Sequence, residues 1–154
     1  MTLNPSMKTL ILKYNNFHSV DASFNFYQEL EHVDLSSNHL VSIPDRAFNN
    51  QRKLLQLKIS DNKISKLSEN TFSGLVKLQV LNLSENLLDH IPKRAFKVLK
   101  SLKELNLRSN TISEINKRAF AGLSEVTILD LSNNNLETIP TQDLMHDTSS
   151  RRII

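Results

Sequence analysis

The chain has 154 residues, 39% of them hydrophobic, which suffices for one packed domain or a stacked array. Its net charge of +3 permits an acidic partner without demanding one. The absence of cysteine excludes a disulfide framework and a thiolate metal site, and no apolar run approaches membrane-spanning length.

The opening residues, Met1 to Lys8, are too polar and too interrupted for the apolar region of a secretion signal. From Met7 onward one pattern recurs. The first repeat, residues 7–29, places Met7, Leu10, Leu12, Asn15, Phe17 and Val20 in its slots and is one residue short, the deletion lying between Asn15 and Phe24. The second, 30–53, has Leu30, Val33, Leu35, Asn38, Leu40, Ile43 and Phe48. The third, fourth and fifth, 54–77, 78–101 and 102–125, repeat those slots every 24 residues. In the fourth they are Leu78, Leu81, Leu83, Asn86, Leu88, Ile91 and Phe96. The sixth, 126–149, has Val126, Leu129, Leu131, Asn134, Leu136, Ile139 and Leu144, and a seventh starts in 150–154 with Ile153 in its second apolar slot. Self-similarity at this period marks a solenoid forming a single domain.

Each repeat has two halves. In Leu81-Asn82-Leu83 apolar and polar residues alternate, the period of a half-buried strand. The asparagine that follows ends the strand, because its carboxamide satisfies backbone groups where the chain turns. The return segment spaces its apolar residues too irregularly for a helix, and the Ile-Pro pairs at 43–44, 91–92 and 139–140 disfavour helix further. It is predicted to be extended with short 3₁₀ turns. Stacking then gathers the strands into one parallel sheet and the phenylalanines into a second internal row.

Neither end supplies a polar capping unit, so the chain is expected to be a segment of a longer array that, in isolation, self-associates through its uncapped terminal repeats or is only marginally stable.

The pattern LxxLxLxxNxLxxIxxxxFxxLxx resembles the leucine-rich repeat family, in the 24-residue class of Toll-like receptors, chaoptin-like adhesion proteins and small leucine-rich proteoglycans. The resemblance covers Met7 to Ile153. It implies an α/β horseshoe-type solenoid: a parallel sheet on the concave face, an irregular and 3₁₀ convex face, and little regular α-helix. It also implies that Asn15, Asn38, Asn62, Asn86, Asn110 and Asn134 form a structural asparagine ladder, and that the concave face binds a protein ligand or co-receptor. Extracellular members carry cysteine-rich flanking caps, which this chain lacks.

Within such a fold the polar strand positions align in columns about 4.8 Å apart. One column is Ile11, Asp34, Lys58, Asn82, Asn106 and Asp130; another is Thr9, His32, Gln56, Val80, Glu104 and Ile128. A third, Lys13, Ser36, Ser60, Ser84, Arg108 and Ser132, is flanked by Tyr14, Ser37, Asp61, Glu85, Ser109 and Asn133. Tyr14, His32, Asp34, Lys58, Asp61, Glu85, Glu104 and Arg108, together with Ile11, are the expected ligand contacts, since aromatic and arginine side chains anchor interfaces. The competing account is a solvated face with generic repeat sequence. On the return side Lys93, Arg94, Lys97, Lys117 and Arg118 cluster, with Lys100 close by, and suit a sulfated polysaccharide or another anionic surface; the plainer role is solubility. Nucleic acid is not expected, for want of interleaved aromatics. Asn82-Leu83-Ser84 is the one usable glycosylation sequon, conditional on secretion.

Enzyme chemistry has no foothold. The five histidines have no metal-ligand spacing, and there is no glycine-rich phosphate loop, so neither metal nor cofactor is expected. The expected role is a protein–protein interaction module in the ectodomain of a cell-surface receptor or adhesion protein. An intracellular scaffold, and a binding domain attached to a catalytic module outside this segment, stand as alternatives.

Overall fold

In the computed structural model, which describes residues 4–138 and 152–153, each repeat contributes one short strand to a large sheet, and the fourth and fifth repeats each add a second strand on the return side. The strands are β1 (Thr9–Ile11), β2 (His32–Asp34), β3 (Gln56–Lys58), β4 (Val80–Asn82), β5 (His90–Ile91), β6 (Glu104–Asn106), β7 (Glu114–Ile115), β8 (Ile128–Asp130) and β9 (Arg152–Ile153). Seven of them stack in parallel in the order β1-β2-β3-β4-β6-β8-β9. The register is that of the repeat: Leu10, Val33, Leu57, Leu81, Leu105, Leu129 and Ile153 form one row across the sheet. From β2 to β8 this row is buried through Leu129, while the residues on either side of it face outward. The slots at Ile139 and Leu144 lie outside the described residues.

Behind the sheet runs the row of phenylalanines. Phe72, Phe96 and Phe120 stack face to face at 5.8 and 6.0 Å between centroids, and Phe24 meets Phe48 edge-on at 5.8 Å. Stacking of identical units turns one unburiable stripe per repeat into a continuous core.

Between sheet and return segment stands the asparagine ladder. Asn62 is typical. Its Nδ2 donates to the carbonyls of Ile59 and Ser60 in its own repeat and of Leu35 in the preceding one, at 3.1–3.2 Å. Its Oδ1 accepts the Leu40 N–H at 3.0 Å. Asn38, Asn86, Asn110 and Asn134 make the same set. Asn15 is exposed and donates only to Leu12 and Lys13. A side chain with two donors and one acceptor is what a turning backbone with orphaned groups on both sides requires.

The convex side has almost no regular helix. After Pro92 the N–H groups of Ala95, Lys97, Leu99 and Leu102 each reach three residues back, a chain of 3₁₀-type turns at 3.0–3.2 Å. The two-residue strands β5 and β7 pair in parallel just before these turns. Gly74 has φ +96°, and a Cβ there would press on the carbonyl oxygens of Phe48 and Asn49, so this turn of the third repeat requires glycine.

The first repeat shows where its missing residue falls. His39 and Val41 still bond in register to Phe17 and His18, and Val20 is buried in the slot of Ile43. The deletion is therefore after Val20. There a 3₁₀ helix, Ala22–Phe26, capped by the Asp21 carboxylate on the Ser23 N–H, carries the chain to Phe24.

Candidate functional site

The outward columns of the large sheet are brought together as six adjacent rows. Register pairs Ile11 with Asp34, Asp34 with Lys58, Lys58 with Asn82, Asn82 with Asn106 and Asn106 with Asp130. Thr9, His32, Gln56, Val80, Glu104 and Ile128 form the parallel row. Asp34, Lys58 and Glu104 are half-buried, whereas Tyr14, His32, Asp61, Glu85 and Arg108 are exposed. At the first repeat the surface turns apolar, with Ile11 exposed to 62% and Tyr14 to 76%. The Lys13 ammonium sits 5.3 Å from the Tyr14 ring centroid. A hollow of about 240 Å³ lies beside Ile11, lined also by residues including Thr9, His32, Asp34, Gln56 and Lys58.

Several of these side chains are already engaged. Asp34 Oδ1 accepts the Ser36 N–H at 3.0 Å. Asn106 takes the Arg108 N–H at 3.0 Å, and Asp130 takes both the N–H and the hydroxyl of Ser132. Asn82, half-buried, accepts the Ser84 N–H at 2.9 Å and its hydroxyl at 2.7 Å. An Asx side chain at the strand end thus closes the turn two residues on. The serine column is accordingly drawn inward: Ser84 is buried and the Ser60 hydroxyl donates to that of Ser36. This leaves Lys13 and Arg108 as the exposed members of that column.

The flanking column has a backbone property that sequence reasoning missed. Tyr14, Ser37, Asp61, Glu85, Ser109 and Asn133 all have φ between 53° and 59°. Asparagine, and to a lesser degree aspartate, tolerate that left-handed region, but tyrosine and glutamate do not favour it. The only available hint was the run of small and Asx residues in the other repeats. Phe26, exposed to 77%, was also missed. Its counterparts Asn50, Gly74, Val98 and Gly122 made an aromatic there unusual.

On the convex side Lys93, Arg94, Lys117 and Arg118 are exposed and lie on adjacent turns, tied by the Arg94 N–H to the Arg118 carbonyl at 3.0 Å. Lys97 is half-buried and pairs with Glu69 at 3.1 Å. That bond, with the positive field of Lys97, Arg94 and Lys93, holds the Glu69 carboxyl below its ordinary range. Elsewhere Lys8 bonds Glu31 at 2.9 Å, raising the ammonium and lowering the carboxyl, and Lys53 pairs with Glu29. His18 and His39 lie 5.5 Å apart, centroid to centroid. Among the described residues no group of three or more histidine or acidic side chains is arranged to hold a metal. No helix among them is long and apolar enough to cross a membrane.

The family model described as leucine rich repeat matches residues 28–88 and 77–136. The sequence has no match among curated proteins. Among solved structures, the crystal structure of a TLR13–ssRNA13 complex contains a similar chain, with a TM-score of 0.72 at 23% identity. The alignment covers 92% of this chain and 23% of that one, so the chain spans about a quarter of the length of the structure it matches. Similarity at this identity establishes the fold.

Proposed function

The chain belongs to the leucine-rich repeat family, and we propose that it is a non-catalytic interaction module whose concave face takes a protein ligand, as part of the ectodomain of a cell-surface receptor or adhesion protein. One observation carries this reading. The concave sheet joins an exposed apolar corner, Ile11 and Tyr14, to rows of outward charges of both signs around a hollow. An aromatic and an aliphatic anchor beside a polar rim is the composition of a protein interface. Family membership supports binding in general; the named contacts and the extracellular setting rest on this proposal.

The RNA of the TLR13 complex is not carried over. The concave face sets Asp34, Asp61, Glu85, Glu104 and Asp130 among its few cations, which opposes a polyanion.

The test is binding of the labelled chain to intact cells, read by flow cytometry. Ile11→Asp, Tyr14→Ser and Arg108→Glu should each weaken staining at least tenfold, as expected of interface anchors worth about 2 kcal/mol. Lys100→Gln, on the convex side, should not. Protease treatment of the cells should abolish staining. Staining indifferent to all three concave substitutions would overturn the reading. Asn82 is proposed as a glycan acceptor when the chain is secreted. A mass increase lost in Asn82→Gln tests it, and a glycan there would confine ligand contact to the strands on either side.

A further inference from the structure

Concave binding leaves the convex side of the fourth and fifth repeats without a role. Arg46, Arg94 and Arg118 occupy one column there, and each has a left-handed backbone, with φ of 62°, 59° and 64°. A residue with a Cβ is strained in that region, and glycine is its natural occupant. On the same side of the solenoid the chain does use glycine for a positive φ, at Gly74 and Gly122. Three arginines are thus kept where glycine would be the more stable choice. Strain of this kind points to a use for the side chain.

The surroundings say what that use is. Ala95 and Ala119 are buried beside the phenylalanine row, while Lys93, Arg94, Lys117 and Arg118 are exposed on two turns held side by side. In the two preceding repeats the column of Lys93 holds Asp45 and Glu69, so the positive surface has a defined border at the fourth repeat. Glu69 also ties down Lys97 at that border.

We propose that Lys93, Arg94, Lys117 and Arg118 form a docking site for a linear sulfated polysaccharide. Charge complementarity favours a polyanion, and guanidinium groups receive sulfate through paired N–H donors. Single-stranded nucleic acid is the poorer fit. It needs aromatic platforms, and the exposed aromatics Tyr14, Phe17 and Phe26 all belong to the first repeat.

Anisotropy of a labelled heparin oligosaccharide, titrated with the full chain at several salt concentrations, tests the site. Removing Arg94 and Arg118 together as glycine (R94G/R118G) should weaken binding about 25-fold, roughly fivefold per charge, and flatten the salt dependence. The same variant should melt no lower than the parent, since glycine suits the left-handed backbone. Lys93→Gln with Lys117→Gln should weaken binding comparably, and Glu69→Gln should strengthen it. Lys63→Gln with Lys103→Gln removes two cations elsewhere and should have little effect. A loss in the arginine variant no larger than in that control would overturn the proposal. So would an oligouridylate that binds more tightly than heparin through the same arginines, or failure of heparin to bind at low salt.

Discussion

The Asn86 carboxamide accepts the backbone N–H of Ile64, twenty-two residues earlier, at 3.1 Å. The same side chain donates to the carbonyls of Ile59, Leu83 and Ser84, so one residue stitches two repeats together. It is 4% exposed, which denies water the chance to replace any of these bonds. Asn86→Ala should therefore cost about 3 kcal/mol or more, since each buried group left unpaired costs about 1–3 kcal/mol. Asn15→Ala, at an exposed site with bonds only inside its own repeat, should cost about 1 kcal/mol or less. Urea midpoints of the two variants decide it; equal losses would mean that the ladder does not hold the repeats to each other.

Phe96 is fully buried between Phe72 and Phe120, with interplanar angles of 17° and 5°. Phe96→Ala should lose about 3–5 kcal/mol, from lost burial and from a cavity that two flanking rings cannot close. Phe96→Leu should retain more than half of that. Because contacts in a solenoid run only between neighbours, the lesion should split unfolding into two transitions, visible as a broadened urea curve with a reduced slope. A single sharp transition of unchanged slope would count against this.

The leucine slots, the strand register, the phenylalanine row and the asparagine positions were legible because each is set by burial or by backbone satisfaction, and both leave residue types at fixed intervals. The left-handed positions were not. Tyr14 and Glu85 carry no mark of φ > 0 in their own residue types, and only the small and Asx residues at the same slot of other repeats hint at it, because the neighbouring strands and turns impose the conformation against local preference. The capping role of Asp34 was likewise hidden: a carboxylate beside Lys58 on an outward column reads as half of a surface ion pair, whereas its oxygen is turned back to the Ser36 N–H. Of the candidate contacts, position was readable and availability was not.

The depressed carboxyls predict a definite pH window. Glu31 and Glu69 lie below the ordinary value of 4.5 through bonds from Lys8 and Lys97, and Asp21 and Asp89 lie below 3.8 through bonds from Ser23 and His90. Each favours the fold while ionised. That contribution is complete above the unfolded values and is lost as pH falls through the lower folded ones. Lys8, raised above 10.5, acts oppositely: its contribution is complete below 10.5 and is lost as pH rises through its folded value. Lys8, Asp21, Glu69 and Asp89 are exposed and Glu31 is only half-buried, so the effects are small. From these pairs the melting temperature should be flat between about pH 5 and 10 and decline below that range, and Glu31→Gln with Glu69→Gln should shallow the acid decline. An unchanged acid limb in the double variant would remove these pairs as its cause.

Gln51 offers the opposite experiment, a substitution expected to stabilise. It occupies the column that Leu75, Leu99 and Leu123 fill in later repeats and is fully buried. Its Nε2 donates to the Phe24 carbonyl, but its Oε1 has no hydrogen-bond partner among the described residues. The Phe24 carbonyl also accepts the Tyr27 N–H at 3.0 Å, so it stays satisfied if the amide is removed. Gln51→Leu therefore deletes an orphaned acceptor without creating another and adds apolar surface to the core. A gain of about 1–2 kcal/mol follows, the desolvation cost of one unpaired polar group. Gln51→Glu should do the reverse, losing the donor and burying a carboxyl against a carbonyl. Thermal melts of the three proteins order them Leu, Gln, Glu from most to least stable. A leucine variant that melts below the parent would show that the bond to Phe24 outweighs the orphaned oxygen.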